Sequence, residues 1–175
     1  MLIDGPRTRW GGIADGAFRP SGYFHIVQRD EVFWLVDPDG GRFLSKGINT
    51  VTLDQDRIQK TNCIPYAEAC ARKYGSVPAW RAAIAERLSQ SGFNTLGAWS
   101  GEAVATAGSI PLALAPNLDL GMSYGRPDDA QQDKEAKQEF PDVFEPGFEN
   151  HVRSKARHLC GKRNKKEHSR LVYRQ

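Results

Sequence analysis

Residues 22–51 read GYFHIVQRDEVFWLVDPDGGRFLSKGINTV. Tyr23 to Gln28 and Val32 to Asp37 are rich in aromatic and β-branched residues, which suit a pleated, half-buried surface. The polar Arg29-Asp30-Glu31 between them reads as a hairpin connection. Asp37-Pro38-Asp39-Gly40-Gly41 then stops the second strand, because proline sets φ for the first corner of a turn and the glycines supply positive φ. A third strand is expected over Arg42 to Val51. Its inner part, Phe43 to Ile48, does not alternate between apolar and polar residues, so it is expected to be more buried than an edge strand and to open a larger sheet.

Outward from this stretch, residues 1–21 hold glycines, prolines and one tryptophan without a period and read as an extended surface lead-in. Residues 52–76 are polar and irregular, with a short helix expected around Tyr66 to Tyr74; long loops after sheet strands are often binding loops. Pro78 to Gln90 is the clearest helix, with Trp80, Ala83, Ile84 and Leu88 on one face, proline in the first turn and Ser91-Gly92 at its end. A strand over Phe93 to Trp99, a short helix over Glu102 to Ala107, and a third buried strand over Pro111 to Leu120 follow, with Pro116 limiting regular pairing. Asp128 to Glu139 reads as a solvated excursion, and Gly147 to about Cys160 as a helix with Phe148, Val152, Ala156 and Leu159 on one stripe.

Strands separated by helices imply crossover connections and a parallel sheet, either open and doubly wound or closed as a (β/α)8 barrel. Only one glycine stands in Gly47-Ile48-Asn49-Thr50-Val51, so no glycine-rich phosphate loop follows the first strand and the nucleotide-binding arrangement is disfavoured.

The 175 residues are 39% apolar and 10% aromatic, enough for one ordinary core. The formal charge of +3 is unevenly spread: residues 161–175, GKRNKKEHSRLVYRQ, hold six basic residues and one acidic, a net +5, which leaves −2 for the chain before them. That tail is read as disordered and solvated; with a single aromatic and no reading module, it does not make the chain a nucleic-acid binder. Cys63, Cys70 and Cys160 show no CxxC or histidine pairing, so no metal site is expected and the thiols are read as free or buried in a reducing compartment. His25, His151, His158 and His168 form no triad by spacing, and no GxSxG motif occurs. No cofactor is expected. No run of about 18 apolar residues exists and the N-terminus lacks a signal-peptide core, so the chain as it stands is expected to be cytoplasmic, while a full-length parent could be exported.

The hairpin FWLVDPDGGRF, the strand end LSKGIN, the strand GFNTLGAWS after the helix AWRAAIAERLSQS, and the segment FPDVFEPGFENHV occur in this order. Together, over about Gly22 to Cys160, they resemble the N-terminal part of the catalytic domain of agarase-like (β/α)8 glycoside hydrolases. The resemblance implies an α/β fold: the N-terminal portion of a (β/α)8 (TIM) barrel, incomplete, with a β-hairpin cap (residues 22–37) within a partial barrel domain (22–160). It implies hydrolysis of a polysaccharide, a galactan or agarose-like substrate, by two glutamates at the ends of the fourth and seventh barrel strands. One assists the leaving group as acid, the other attacks as nucleophile, and retention needs them about 5 Å apart. Three barrel strands are counted here, and a full barrel of this type needs at least about 200 residues. Both glutamates are therefore expected to be missing and the chain alone to be inactive.

Barrel sites are built at the C-terminal ends of the strands. Asn49 at the end of the first strand, Trp99 at the end of the second, and Asn117 and Asp119 at the end of the third are the candidate substrate-binding residues: the amides and carboxylate to hydrogen-bond sugar hydroxyls, the indole to stack on a pyranose face. Asn94 and Thr95 lie within the second strand and are expected to pack or hydrogen-bond there. Glu102 reads as a helix-start carboxylate. The other reading is a non-catalytic carbohydrate-binding or protein-interaction module, which self-associates or binds a partner through an unpaired sheet edge.

Overall fold

A computed structural model describes residues 5–61, 63–124 and 141–158. The chain is mixed α/β and divides into two compact units, Met1–Asn117 and Leu118–Gln175. The tail over 161–175, the excursion over Asp128 to Glu139, and Leu159 and Cys160 lie outside the described residues.

In the first unit β1 (His25–Arg29) pairs antiparallel with β2 (Val32–Val36). Asp30 and Glu31 turn the chain in two residues, with φ of 50° and 62°, the paired left-handed geometry whose twist matches a hairpin. The second turn forms as its residues dictate: Gly40 N–H donates to Asp37 O at 3.0 Å, and Gly40 has φ of 88°.

The segment Arg42 to Val51 is not one buried strand, as its composition suggests. Its first part belongs to the hairpin. Arg42 bridges Val36 and Ile13, Phe43 N–H donates to Leu35 O at 2.8 Å, and the Phe43 ring sits edge-on to Phe24 with centroids 5.0 Å apart. Leu44 is then 75% exposed. Only Gly47–Ile48 (β3) joins the larger sheet, where it is an edge strand of the order β3-β4-β5. The expected burial fails because no described strand covers its outer side.

Two helices connect β3 to β4 (Thr95–Leu96): α1 (Pro65–Tyr74) and α2 (Val77–Gln90). Helix α2 begins where Ser76 Oγ accepts from Ala79 N–H at 3.2 Å, relieving one unpaired donor of the first turn. It ends where Phe93 N–H reaches back to Leu88 O at 2.9 Å around the left-handed Gly92. Trp80, Ala85 and Leu88 of α2 are buried with Leu96 of β4 and Cys70 of α1 in the main core; Ile84 packs against it. Of the expected stripe on α2, Trp80, Ile84 and Leu88 meet this core; Ala83 is half-buried and not among its residues, and Ala85 is buried there instead.

From β4 the chain passes through a three-residue 3-10 turn, Glu102–Val104, shorter than the helix expected over Glu102 to Ala107, and enters β5 (Ala113–Leu114). Both strand pairs are parallel, in register Gly47–Thr95–Ala113 and Ile48–Leu96–Leu114. The second row faces the helix layer, since Ile48 and Leu96 belong to the core with α2. Alternation then places Ser45, Gly47 and Asn49 on the opposite face, with Thr95 and Gly97 beside them.

The lead-in carries structure of its own: Arg7 bridges Ile13, and Ile13 bridges Arg42. Gly12 is buried there, and a Cβ on it would overlap the Asp37 carboxylate. The second unit contains a helix (α3) over residues 146–158, the last described position. Tyr124 stands edge-on to Phe148 and His151, with centroids 5.2 and 5.3 Å apart, and Ser123 Oγ lies 2.9 Å from His151 Nε2. The Glu145 carboxylate beside the Tyr124 hydroxyl raises that phenol above its ordinary pKa.

Candidate functional site

Because the three strands run parallel, their C-terminal ends lie at one end of the sheet, and the loops that leave them are tied together. Thr50 N–H donates to Ala98 O at 2.9 Å, Val51 N–H to Ser100 Oγ at 3.1 Å, and Gly101 N–H to Val51 O at 3.0 Å. Of the residues expected to line a site, Asn49 follows β3, Trp99 follows β4, and Asn117 lies three residues past β5. Asp119 belongs to the second unit, with φ of 49° and its carbonyl accepting from Ser123 N–H at 3.0 Å.

Asn49 is exposed and lies directly over Gly97, where a Cβ would overlap its Oδ1. Glycine in the β4 strand end is what admits the amide. Its neighbour Thr50 is left-handed, with φ of 60°.

Trp99 is 64% exposed and also left-handed, with φ of 57°. For a bulky side chain that conformation costs roughly 1–2 kcal/mol and persists only where surrounding hydrogen bonds impose it. Here the bonds at Ala98, Ser100 and Gly101 bracket the residue. The indole is thus held at the strand end with most of its surface open to solvent. Sequence reasoning placed the residue at the strand end; its backbone conformation carries no signal in the local sequence.

The residues just before these ends are structural. Asn94 Nδ2 donates to Leu44 O at 2.9 Å and its Oδ1 accepts from Lys46 N–H at 2.8 Å, while Ser45 Oγ and Thr95 Oγ1 are 2.9 Å apart. They bind β3 to β4, as their place within the strand led one to expect.

A cleft of about 530 Å³ lies at the C-terminal end of β3, lined by Ile48, Asn49 and Thr50 and by Trp80, Ile84 and Leu88 of α2. On the loop before α1, the Cys63 thiol is raised above its ordinary pKa, chiefly by hydrogen bonding to Glu68. Cys63 and Cys70 are free thiols. Among the described residues no three His, Cys, Asp or Glu side chains stand together as a metal site, and no helix is long and apolar enough to cross a membrane.

This arrangement of a hairpin, then parallel strands alternating with helices, has solved counterparts. The agarase AgWH50C matches 85% of the chain at 20% identity with a TM-score of 0.60. The likeness is to agarases. PfGH50B matches 91% of the chain at 21% identity and a TM-score of 0.57, and an exo-beta-agarase matches 87% at 18% and 0.54. The chain spans 28 to 31% of the length of these three structures. At these identities the agreement is one of fold. No family model and no curated protein matches the chain. The agarase-like order of elements agrees with the resemblance carried by FWLVDPDGGRF, LSKGIN and GFNTLGAWS.

Proposed function

We propose that this chain is an N-terminal portion of an agarase-like polysaccharide hydrolase, the first three strands of a (β/α)8 barrel behind a hairpin cap. In this reading it holds part of the sugar-binding wall, and both catalytic glutamates belong to barrel strands beyond β5. The observation that carries the proposal is the exposed, left-handed Trp99 at the end of a parallel strand, beside Asn49 seated over Gly97, in a fold like that of agarases. Asn49 and Asn117 would hydrogen-bond hydroxyls while the indole stacks on a ring of a galactan. Self-association through the open sheet edge is part of the same reading.

The chain alone is expected to release no reducing ends from agarose or other galactans above the rate of a buffer control. Robust turnover by the purified 175-residue protein would overturn the assignment of the glutamates.

It is expected to be retarded in agarose-containing gels relative to polyacrylamide, and Trp99→Gly is expected to abolish that retardation. The same change should leave stability unchanged or raise it by up to about 1 kcal/mol, because glycine occupies the left-handed region without a Cβ clash. A variant that keeps the retardation, or that loses stability, removes Trp99 from the site.

A further inference from the structure

The hydrogen-bond pattern of the parallel sheet shows which backbone groups its two edges present. Along β3 and the residues flanking it, Lys46 O accepts from Asn94 N–H at 3.0 Å, Ile48 O from Gly97 N–H at 2.8 Å, and Thr50 N–H donates to Ala98 O. Residues 46, 48 and 50 thus turn their polar groups toward β4. In an alternating backbone, Gly47 and Asn49 must turn theirs away, to the open edge. On β5, Ala113 N–H donates to Asn94 O at 2.9 Å and Ala115 N–H to Leu96 O at 2.8 Å, so Leu114 turns its N–H and C=O to the other open edge.

These two edges are complementary. A parallel ladder needs one residue whose N–H and C=O are both presented, opposite two residues spaced by one, and Leu114 against Gly47 and Asn49 is that set. The side chains agree with the backbone. Ile48, Leu96 and Leu114 form one row facing the helix layer, Leu114 is exposed, and the apolar cleft beside Ile48 lies open at the end of that row.

We infer that a second copy of this chain docks head to tail, β5 of one molecule beside β3 of the next. Leu114 N–H donates to Gly47 O, Asn49 N–H donates to Leu114 O, and Leu114 extends the Ile48–Leu96 row. This rests on the self-association included in the proposed function and specifies its register. Pro116 has no N–H and stands two residues after Leu114, so the ladder stops at these two bonds. The association is consequently reversible and concentration-dependent, and being heterologous it extends beyond a dimer unless it closes into a ring.

Sedimentation velocity on the full chain over a hundredfold concentration range tests it. The wild type is expected to shift progressively to species larger than a dimer. Leu114→Pro removes the donor at one edge and Asn49→Pro the donor at the other; both N–H groups point away from β4, so the sheet itself loses no bond. Each variant alone is expected to associate at least about tenfold more weakly. Mixed one to one, they are expected to form a heterodimer and nothing larger, since each retains the edge that the other lacks. A wild type that stays monomeric throughout defeats self-association, whatever the sugar-binding result. A Leu114→Pro chain that still forms a homodimer, with circular dichroism unchanged, defeats the head-to-tail register in favour of β3 pairing with itself.

Discussion

Leu96→Ala is expected to cost about 3–5 kcal/mol of unfolding free energy, read by urea denaturation from tryptophan fluorescence. Leu96 is 0% exposed and sits in the central strand, between Ile48 and Leu114 in the sheet and against the α2 side chains Trp80 and Leu88. Removing three carbons there leaves a cavity that a two-residue strand held on both sides by hydrogen bonds is poorly placed to close. Domains of this size keep only about 5–15 kcal/mol in reserve, so the loss is a large share of the total. The consequence reaches the site, because Leu96 is followed immediately by Gly97, which carries Asn49 on its surface, and by the loop that holds Trp99. A loss below about 1 kcal/mol would show that the sheet and α2 are not one cooperative core.

Asp37→Ala is expected to be nearly as damaging, about 3 kcal/mol or more. Asp37 is a fully buried carboxylate at the close of β2. Its Oδ1 accepts from Asp39 N–H at 3.0 Å and Gly41 N–H at 2.9 Å, and its Oδ2 accepts from the Thr8 hydroxyl. Thr8 Oγ1 in turn accepts from Gly12 N–H at 3.1 Å, so one acid holds the turn after the hairpin and the lead-in together. Alanine strands three donors, of which Gly41 N–H is buried and the Thr8 hydroxyl and Asp39 N–H half-buried, whereas Asp37→Asn keeps the Oδ1 acceptor and should cost about half as much. If asparagine and alanine cost the same, the carboxylate oxygens are not what the turn depends on.

The hairpin, α2 and the alternation of strand and helix were legible because each is specified locally: turn residues, β-branched runs, a 3.6-residue apolar stripe with a proline at its start. The split of Arg42 to Val51 between two sheets was not. It depends on Phe43 meeting Phe24, and on Arg42 reaching Ile13, contacts across 19 and 29 residues of chain that no window around the segment contains. The site shows the same division. Asn49 and Trp99 could be nominated from their places after apolar strands, but the glycine beneath Asn49 matters only once Ile48 and Leu96 are in register.

The sequence by itself determined the hairpin, its turns, helix α2, the order of strands and helices, and the likeness to agarases, because those follow from propensity, periodicity and motif; the strands over Phe93 to Trp99 and Pro111 to Leu120 shrink to Thr95–Leu96 and Ala113–Leu114. The tertiary structure alone decided that β3 is an edge and that Asp37 is a buried anchor. It also decided that Trp99 is held outward in a left-handed conformation which a tryptophan does not adopt of its own accord. The physical reason is that these are consequences of register and burial, set by hydrogen bonds between residues far apart in the chain, such as Lys46 with Asn94, Thr50 with Ala98, and Thr8 with Asp37.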